Sequence, residues 1–204
     1  MLRPLEMAHD FLREVITDQD TVVDATMGNG HDTLFLAKLA REVYAFDIQE
    51  QALVHTQNRL EEAGLFNAHL LLKGHEEVDR YVDQVKAAIF NLGYLPSADK
   101  SIITQPRTTI QAIDKLCHLL VKGGRIAIMI YYGHEGGDTE RDAVLDFVSQ
   151  LPQKGGDLEK DAVLDFVSQL PQQEYTVTSY RTLNQINHPP FLVMIEKLES
   201  YRHG

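Results

Sequence analysis

Val22-Val23-Asp24-Ala25-Thr26-Met27-Gly28-Asn29-Gly30-His31-Asp32-Thr33 reads as a short apolar strand, a turn holding two glycines and the start of a helix. Glycines at such a turn let the backbone approach a ligand closely, and the helix that follows offers unpaired N–H groups. The same order repeats outward along the chain. Apolar runs at Thr21–Ala25, Val43–Phe46, His69–Leu72, Ala87–Leu92 and Arg125–Tyr131 alternate with helical stretches at His31–Ala40, Gln49–Ala63, His75–Val82 and Thr108–Val121, the last expected to end at Gly123-Gly124. Upstream, Leu5, Ala8, Leu12 and Val15/Ile16 recur at helical spacing and predict an opening amphipathic helix. Helical crossovers between short buried strands imply a parallel sheet covered on both faces. Near the end the pattern changes: Tyr175–Tyr180 and Phe191–Lys197 are strand-like runs joined by a loop through Asn187-His188-Pro189-Pro190. Strands joined without a helix pair antiparallel, so the sheet should end in one reversed strand.

The chain has 204 residues, 44% of them hydrophobic and 24% charged, which fits one globular domain over 1–204. No apolar run reaches the roughly 18 residues needed to span a bilayer, and Met1-Leu2-Arg3-Pro4-Leu5-Glu6 lacks a signal peptide's apolar stretch. Neither membrane insertion nor secretion is expected, and the single cysteine, Cys117, suits a reducing cytoplasm. Nine histidines without H-E-x-x-H spacing give no reason to expect a metal. The net charge of −11 argues against non-specific binding along a phosphate backbone, so any nucleic-acid contact must use a local basic patch.

Residues 136–153, GGDTERDAVLDFVSQLPQ, recur as residues 155–172, GGDLEKDAVLDFVSQLPQ, with differences only at Thr139/Leu158 and Arg141/Lys160. Two near-identical copies indicate a tandem duplication rather than a solenoid, which needs at least about three stacked repeats. The sheet has room for one helix there. The second copy should fill the slot, because Pro171-Gln172-Gln173 leads directly into the strand at Tyr175, and Phe166 is then a core residue while Phe147 is not.

At the end of the second strand, Phe46-Asp47-Ile48-Gln49 places a carboxylate where it can accept hydrogen bonds from both hydroxyls of a ribose, 19 residues after Gly28. A nucleoside-bearing cofactor follows from that spacing. A dinucleotide fingerprint needs a third glycine for close helix packing, and Thr33 stands in its place. S-adenosylmethionine has no phosphate and ends in an amino acid, and Asp24, just before the glycines, suits its ammonium group.

The D-x-x-x-G-x-G arrangement with a reversed last strand resembles the class I methyltransferases: α/β, Rossmann-like, a mostly parallel seven-stranded sheet with one antiparallel strand and helices on both faces. Asp24–Thr33, Phe46–Gln49, Gly74-His75-Glu76 and Asn91-Leu92-Gly93-Tyr94-Leu95-Pro96 resemble more closely the family long labelled putative rRNA methylases. Its characterised members methylate the aminomethyl group of 5-aminomethyl-2-thiouridine at the tRNA wobble position. The resemblance implies a cofactor site lined by Asn29, Asp47, Gln49, His75 and Glu76, beside Asp24, Gly28 and Gly30. Asn91-Leu92-Gly93-Tyr94 has the outline of the N-P-P-Y segment of amino-group methyltransferases, with Leu-Gly in place of Pro-Pro. It implies that Asn91 receives the amine's N–H groups and that Tyr94 stacks on the base.

The strand ends supply further candidates. Lys100 and Arg107, after the fourth strand, are placed to contact tRNA phosphates; Tyr132 and His134, after the fifth, are candidate substrate contacts, with His134 able to accept a proton. Carbon-5 methylation of a pyrimidine generally needs a thiolate, but Cys117 lies in the apolar pattern Ile113-Leu116-Cys117-Leu120 and reads as core. The expected partner is tRNA, with no membrane, no metal and a homodimer left open. Three alternatives stand beside this reading: a small-molecule N- or O-methyltransferase, which the acidic charge would suit, a nicotinamide-dependent oxidoreductase, and a non-catalytic cofactor-binding protein.

Overall fold

The computed structural model describes residues 2–92, 106–131, 155–183 and 189–199. In chain order the elements are α1 (Pro4–Arg13), β1 (Thr21–Asp24), α2 (His31–Ala37), β2 (Glu42–Asp47), α3 (Glu50–Glu62), β3 (Ala68–Leu72), a 3₁₀ helix (His75–Arg80) and β4 (Val85–Leu92). Then come α4 (Pro106–Leu119), β5 (Leu120–Ile130), α5 (Gly155–Ser168), β6 (Tyr175–Tyr180) and β7 (Phe191–Lys197). The strands form one seven-stranded sheet in the order β3-β2-β1-β4-β5-β7-β6. β1 to β5 pair in parallel, and β7 runs antiparallel to both β5 and β6. The expected reversed strand is therefore β7, wedged between β5 and β6.

Alternation along the central strands divides the core in two. Val23, Ala88, Phe90, Ile126 and Ile128 face α4, α5 and the 3₁₀ helix. Val22, Ala87, Ile89, Ala127 and Met129 face α1 and α2, where Ala8, Leu12 and Leu36 are fully buried. Each large side chain buried in this way contributes roughly 1.5–3 kcal/mol over its exposed state.

Three element ends differ from their expected places. α1 stops at Arg13, and a turn in which Val15 N–H donates to the Leu12 carbonyl carries Ile16 into the core. The expected helix at His75–Val82 is a 3₁₀ helix of six residues, tight enough to bury Val78 before β4 begins. Gly123-Gly124 does not stop a helix. It lies inside β5, where Gly123 has φ +69° and the register against β4 shifts between Val85 and Ala87.

The helix slot before β6 is filled by the second copy of the duplication. Val163 and Val167, one helical turn apart, are buried against the sheet. Glu159 is buried as well and accepts a 2.7 Å hydrogen bond from the Thr109 hydroxyl of α4. Phe166 corrects the expectation for its position: it is half-buried, at the rim of a groove of about 340 Å³ that Leu170 and Tyr175 also line. The first copy, residues 136–153, lies outside the described residues.

Candidate active site

Strand order reverses between β1 and β4, so their carboxyl ends open a crevice, the usual ligand position in such sheets. The turn after β1 is fastened to both neighbours of that strand. Ala25 N–H donates to the Ile89 carbonyl of β4 and Met27 N–H to the Phe46 carbonyl of β2, each at 2.9 Å. Gly28 and Gly30 hold φ of +51° and +77°, the left-handed region that favours glycine. A Cβ on Gly30 would also come within 2.9 Å of the Thr56 Cα in α3, so this turn and α3 touch backbone to backbone.

Asp47 completes the turn from β2. Its Oδ2 accepts the Gly28 N–H and its Oδ1 the Gln49 N–H, both at 2.9 Å, which leaves each oxygen with capacity for a further donor. Asn29 is exposed; its carbonyl accepts from Arg59 Nε at 2.9 Å, and its side chain lies 3.2 Å from His55 Nδ1. Gln49, half-buried, is the N-cap of α3. Glu76 folds back over Gly74, where a Cβ would collide with its carboxylate. His75 is buried, with Nδ1 3.0 Å from the Ala25 carbonyl and Nε2 without a partner among the described residues. Because a carbonyl only accepts, Nδ1 carries the proton of the neutral ring and Nε2 is left as a buried acceptor. Burial holds the His75 pKa below its ordinary value.

Asp24 takes a different place from the one its position in the motif suggests. It is fully buried, with Oδ1 accepting the Thr26 N–H at 3.1 Å and Oδ2 the Thr33 hydroxyl at 2.7 Å. It ties the turn to the first turn of α2 and does not open to the crevice. Burial, and next the nearby Asp32, push its pKa up to about 7. Thr33, which replaces a third glycine, is thus a structural partner of Asp24.

On the other side of the turn, Asn91 near the end of β4 donates its backbone N–H to Thr26 Oγ1 at 2.7 Å, and its Nδ2 to Asp32 Oδ2. Asp32, in the first turn of α2, is buried, and its Oδ1 lies 2.6 Å from His9 Nε2 of α1. Tyr131, just beyond β5, has its pKa raised by burial and by Asp32. Arg107 is exposed in the first turn of α4. Tyr94, Lys100, Tyr132 and His134 lie outside the described residues. Cys117 is core: buried, with its thiol pKa pushed up to about 12 mainly by that burial. Sequence reasoning missed His9, Thr26 and Asp32. Asp32 stands in the quoted motif, where an acid in a helix's first turn has an ordinary explanation in the helix dipole, and nothing local ties His9 to it.

A profile of the family described as "Putative rRNA methylase" matches residues 43–156 and 153–196, more than half of the chain, and the match breaks at the junction of the two repeat copies. The chain belongs to this family. A Streptococcus mutans structure, described as a putative methyltransferase in complex with SAH, is 52% identical, covers 97% of this chain and 99% of its own, and superposes with a TM-score of 0.84. An rRNA methylase structure from Streptococcus thermophilus is 48% identical, with 97% and 98% covered and a TM-score of 0.78. The chloroplastic tRNA (mnm(5)s(2)U34)-methyltransferase of Arabidopsis thaliana is 38% identical over 167 residues, or 72% of this chain, and the match spans only 59% of that relative's length. Family and fold together make this methylase a class I methyltransferase, an enzyme class whose methyl donor is S-adenosylmethionine. Among the described residues no helix is long and apolar enough to cross a membrane, and no cluster of three His, Cys, Asp or Glu side chains is arranged to hold a metal.

Proposed function

We propose that the protein is a cytoplasmic tRNA methyltransferase that methylates the primary amine of 5-aminomethyl-2-thiouridine at the wobble position. The observation that carries this reading is the 38% identity to the Arabidopsis tRNA (mnm(5)s(2)U34)-methyltransferase over most of this chain. The chemistry of the crevice supports it. When bound, S-adenosylmethionine supplies an electrophilic methyl group on sulfur. The donor set fits that cofactor: Asp47 has free acceptor capacity for ribose hydroxyls, and His75 Nε2 is a buried acceptor without a partner among the described residues. We assign Gly28, Asn29, Gly30, Asp47, Gln49, His75 and Glu76 to that half. Asp24 acts from beneath, by fixing the turn.

A neutral amine is already nucleophilic, so the enzyme needs mainly to hold it in line with the methyl group. Orientation of that kind supplies up to about 7–11 kcal/mol in favourable intramolecular models. Asn91 is the acceptor-side residue in this scheme, with Tyr94 stacking on the base. The excess proton leaves the product ammonium for solvent or for His134. Cys117 rules itself out as a covalent nucleophile by its burial, so methyl transfer to ring carbon has no thiolate here. The net charge of −11 confines the RNA contact to a few cations, to which we assign Lys100 and Arg107, with Tyr132 as a further substrate contact. The test is mass spectrometry of tRNA nucleosides from cells with and without the gene. Loss of 5-methylaminomethyl-2-thiouridine with accumulation of its unmethylated amine is expected, and unchanged wobble nucleosides would overturn the reading.

A further inference from the structure

We propose that His9 and Asp32 are positioning residues that fix which end of the Asn91 amide faces the methyl acceptor. This rests on the reading of the acceptor as an amine. An asparagine amide presents a donor at one end and an acceptor at the other, and the two ends have opposite effects on an amine nucleophile. If the carbonyl oxygen faces the amine, it takes an N–H and leaves the nitrogen lone pair free to attack. If the NH₂ faces it, that donor occupies the lone pair which must form the new bond to carbon.

The structure contains a device that settles the choice. Asn91 is rooted by its backbone N–H on Thr26 Oγ1 at 2.7 Å, and its side-chain nitrogen donates to Asp32 Oδ2. An ionised carboxylate only accepts, so the amide must turn its NH₂ toward Asp32 and its oxygen the other way. Asp32 is itself held. It is 7% exposed, and its second oxygen lies 2.6 Å from His9 Nε2. The His9 ring stacks flat on Phe35, with centroids 3.9 Å apart and planes within 7°, and the Arg13 guanidinium sits 5.2 Å from the centre of the same Phe35 ring. A chain of contacts thus runs from α1 through α2 to the end of β4.

The His9 donor also occupies the second oxygen of Asp32, so the carboxylate is held in one orientation with Oδ2 turned to Asn91. Without that donor the carboxylate is free to rotate away, and the amide is then free to turn its NH₂ toward the acceptor. The class I sheet does not need α1 to bind its cofactor, since the cofactor-side contacts come from β1, β2, α3 and the 3₁₀ helix. In this chain α1 carries the residue that orients the acceptor side.

Three variants of the full-length protein test this, assayed with S-adenosylmethionine and tRNA carrying 5-aminomethyl-2-thiouridine. His9→Phe keeps the stacking on Phe35 and removes the donor, so kcat should fall by about tenfold or more while S-adenosylhomocysteine affinity stays within about twofold. His9→Gln loses the stacking but keeps a donor, and should recover kcat to within about threefold of wild type. Asp32→Leu keeps the volume but removes the acceptor that turns the Asn91 NH₂ away, so it should lose at least as much kcat as His9→Phe, with S-adenosylhomocysteine affinity again within about twofold. Wild-type kcat in His9→Phe or in Asp32→Leu overturns the proposal. So does equal loss in His9→Phe and His9→Gln with lowered Tm in both, which is the pattern of packing alone.

An independent reading needs no turnover. The ¹⁵N spectrum of the His9 ring in the wild-type protein should show the proton on Nε2, and an Nδ1–H tautomer would overturn the proposal. If wild-type enzyme methylates no tRNA, the proposed function fails, while the ring spectrum still decides whether His9 donates to Asp32.

Discussion

The two halves of the crevice are built differently. The half we assign to the cofactor is local: Gly28, Gly30 and Asp47 lie within two adjacent strand-to-helix turns, and Asp47 closes on Gly28 by a single 2.9 Å hydrogen bond. The half we assign to the acceptor is assembled from afar, since Asn91, Asp32 and His9 come from β4, α2 and α1 and meet only because the sheet brings them together. A binding site for a constant molecule can be encoded as a motif. The cluster proposed to orient the acceptor is a property of tertiary packing.

The sharpest way to break this division is Asn91→Ala. If Asn91 belongs to the acceptor half alone, kcat should fall by roughly 100-fold, the cost of about an ångström of misplacement, with S-adenosylhomocysteine affinity unchanged by calorimetry. An equal loss of affinity would merge the two halves. Asp24 lies beneath both and should be read by pH. Its pKa is raised from its ordinary carboxylate value to about 7 in the folded protein, so the folded state holds the proton more tightly than the unfolded chain. Its contribution to stability is therefore present at low pH and is lost as pH rises through about 7. Compared with Asp24→Asn, which can still accept from Thr26 and donate to Thr33, the wild type should lose ground in Tm between pH 4 and pH 8. A constant difference would show that Asp24 is not the buried carboxyl that titrates.

Much of this was legible in the residues, and the misses share a cause. The central strands were placed by their short apolar runs, because burial on both faces leaves no room for polar residues in Val22-Val23 or Ala87–Phe90. The two glycines and Asp47 announced themselves for the same reason: few residue types can hold a left-handed turn or meet two backbone N–H groups. Gly123-Gly124 misled because glycine marks a bulge as readily as a helix end. Phe166 misled because identity and helical period do not say where the edge of a buried stripe falls, and it is Val163 and Val167 that face the sheet. His9 carried no signal, since its partner lies 23 positions away.

The duplicated segment offers a second pair for comparison. Val163→Ala should cost about 2 kcal/mol by denaturant unfolding, and Val144→Ala, the same change in the first copy, less than about 0.5. The reverse order would put the first copy in the slot. At the cofactor end, Asp47→Ala should weaken S-adenosylhomocysteine binding by about tenfold or more, the loss of one charge-assisted contact, with the fold intact. Unchanged affinity would detach Asp47 from the ribose. The smallest effect is expected from removing residues 136–154, one full repeat: methyl transfer should persist, and an unfolded product would show that the first copy is structural.

That same slot gives α5 a kind of insurance. Glu159, Val163 and Val167, which seat the helix against Thr109 and the sheet, are matched in sequence by Glu140, Val144 and Val148. A lesion in the seated copy leaves an intact template for the same slot 19 residues upstream on the same chain. The damage that any substitution in α5 can do then has a ceiling, set by the free energy of exchanging one copy for the other. Below that ceiling either copy is free to drift in sequence, so this is where the chain has the most room to evolve a new surface without losing its fold.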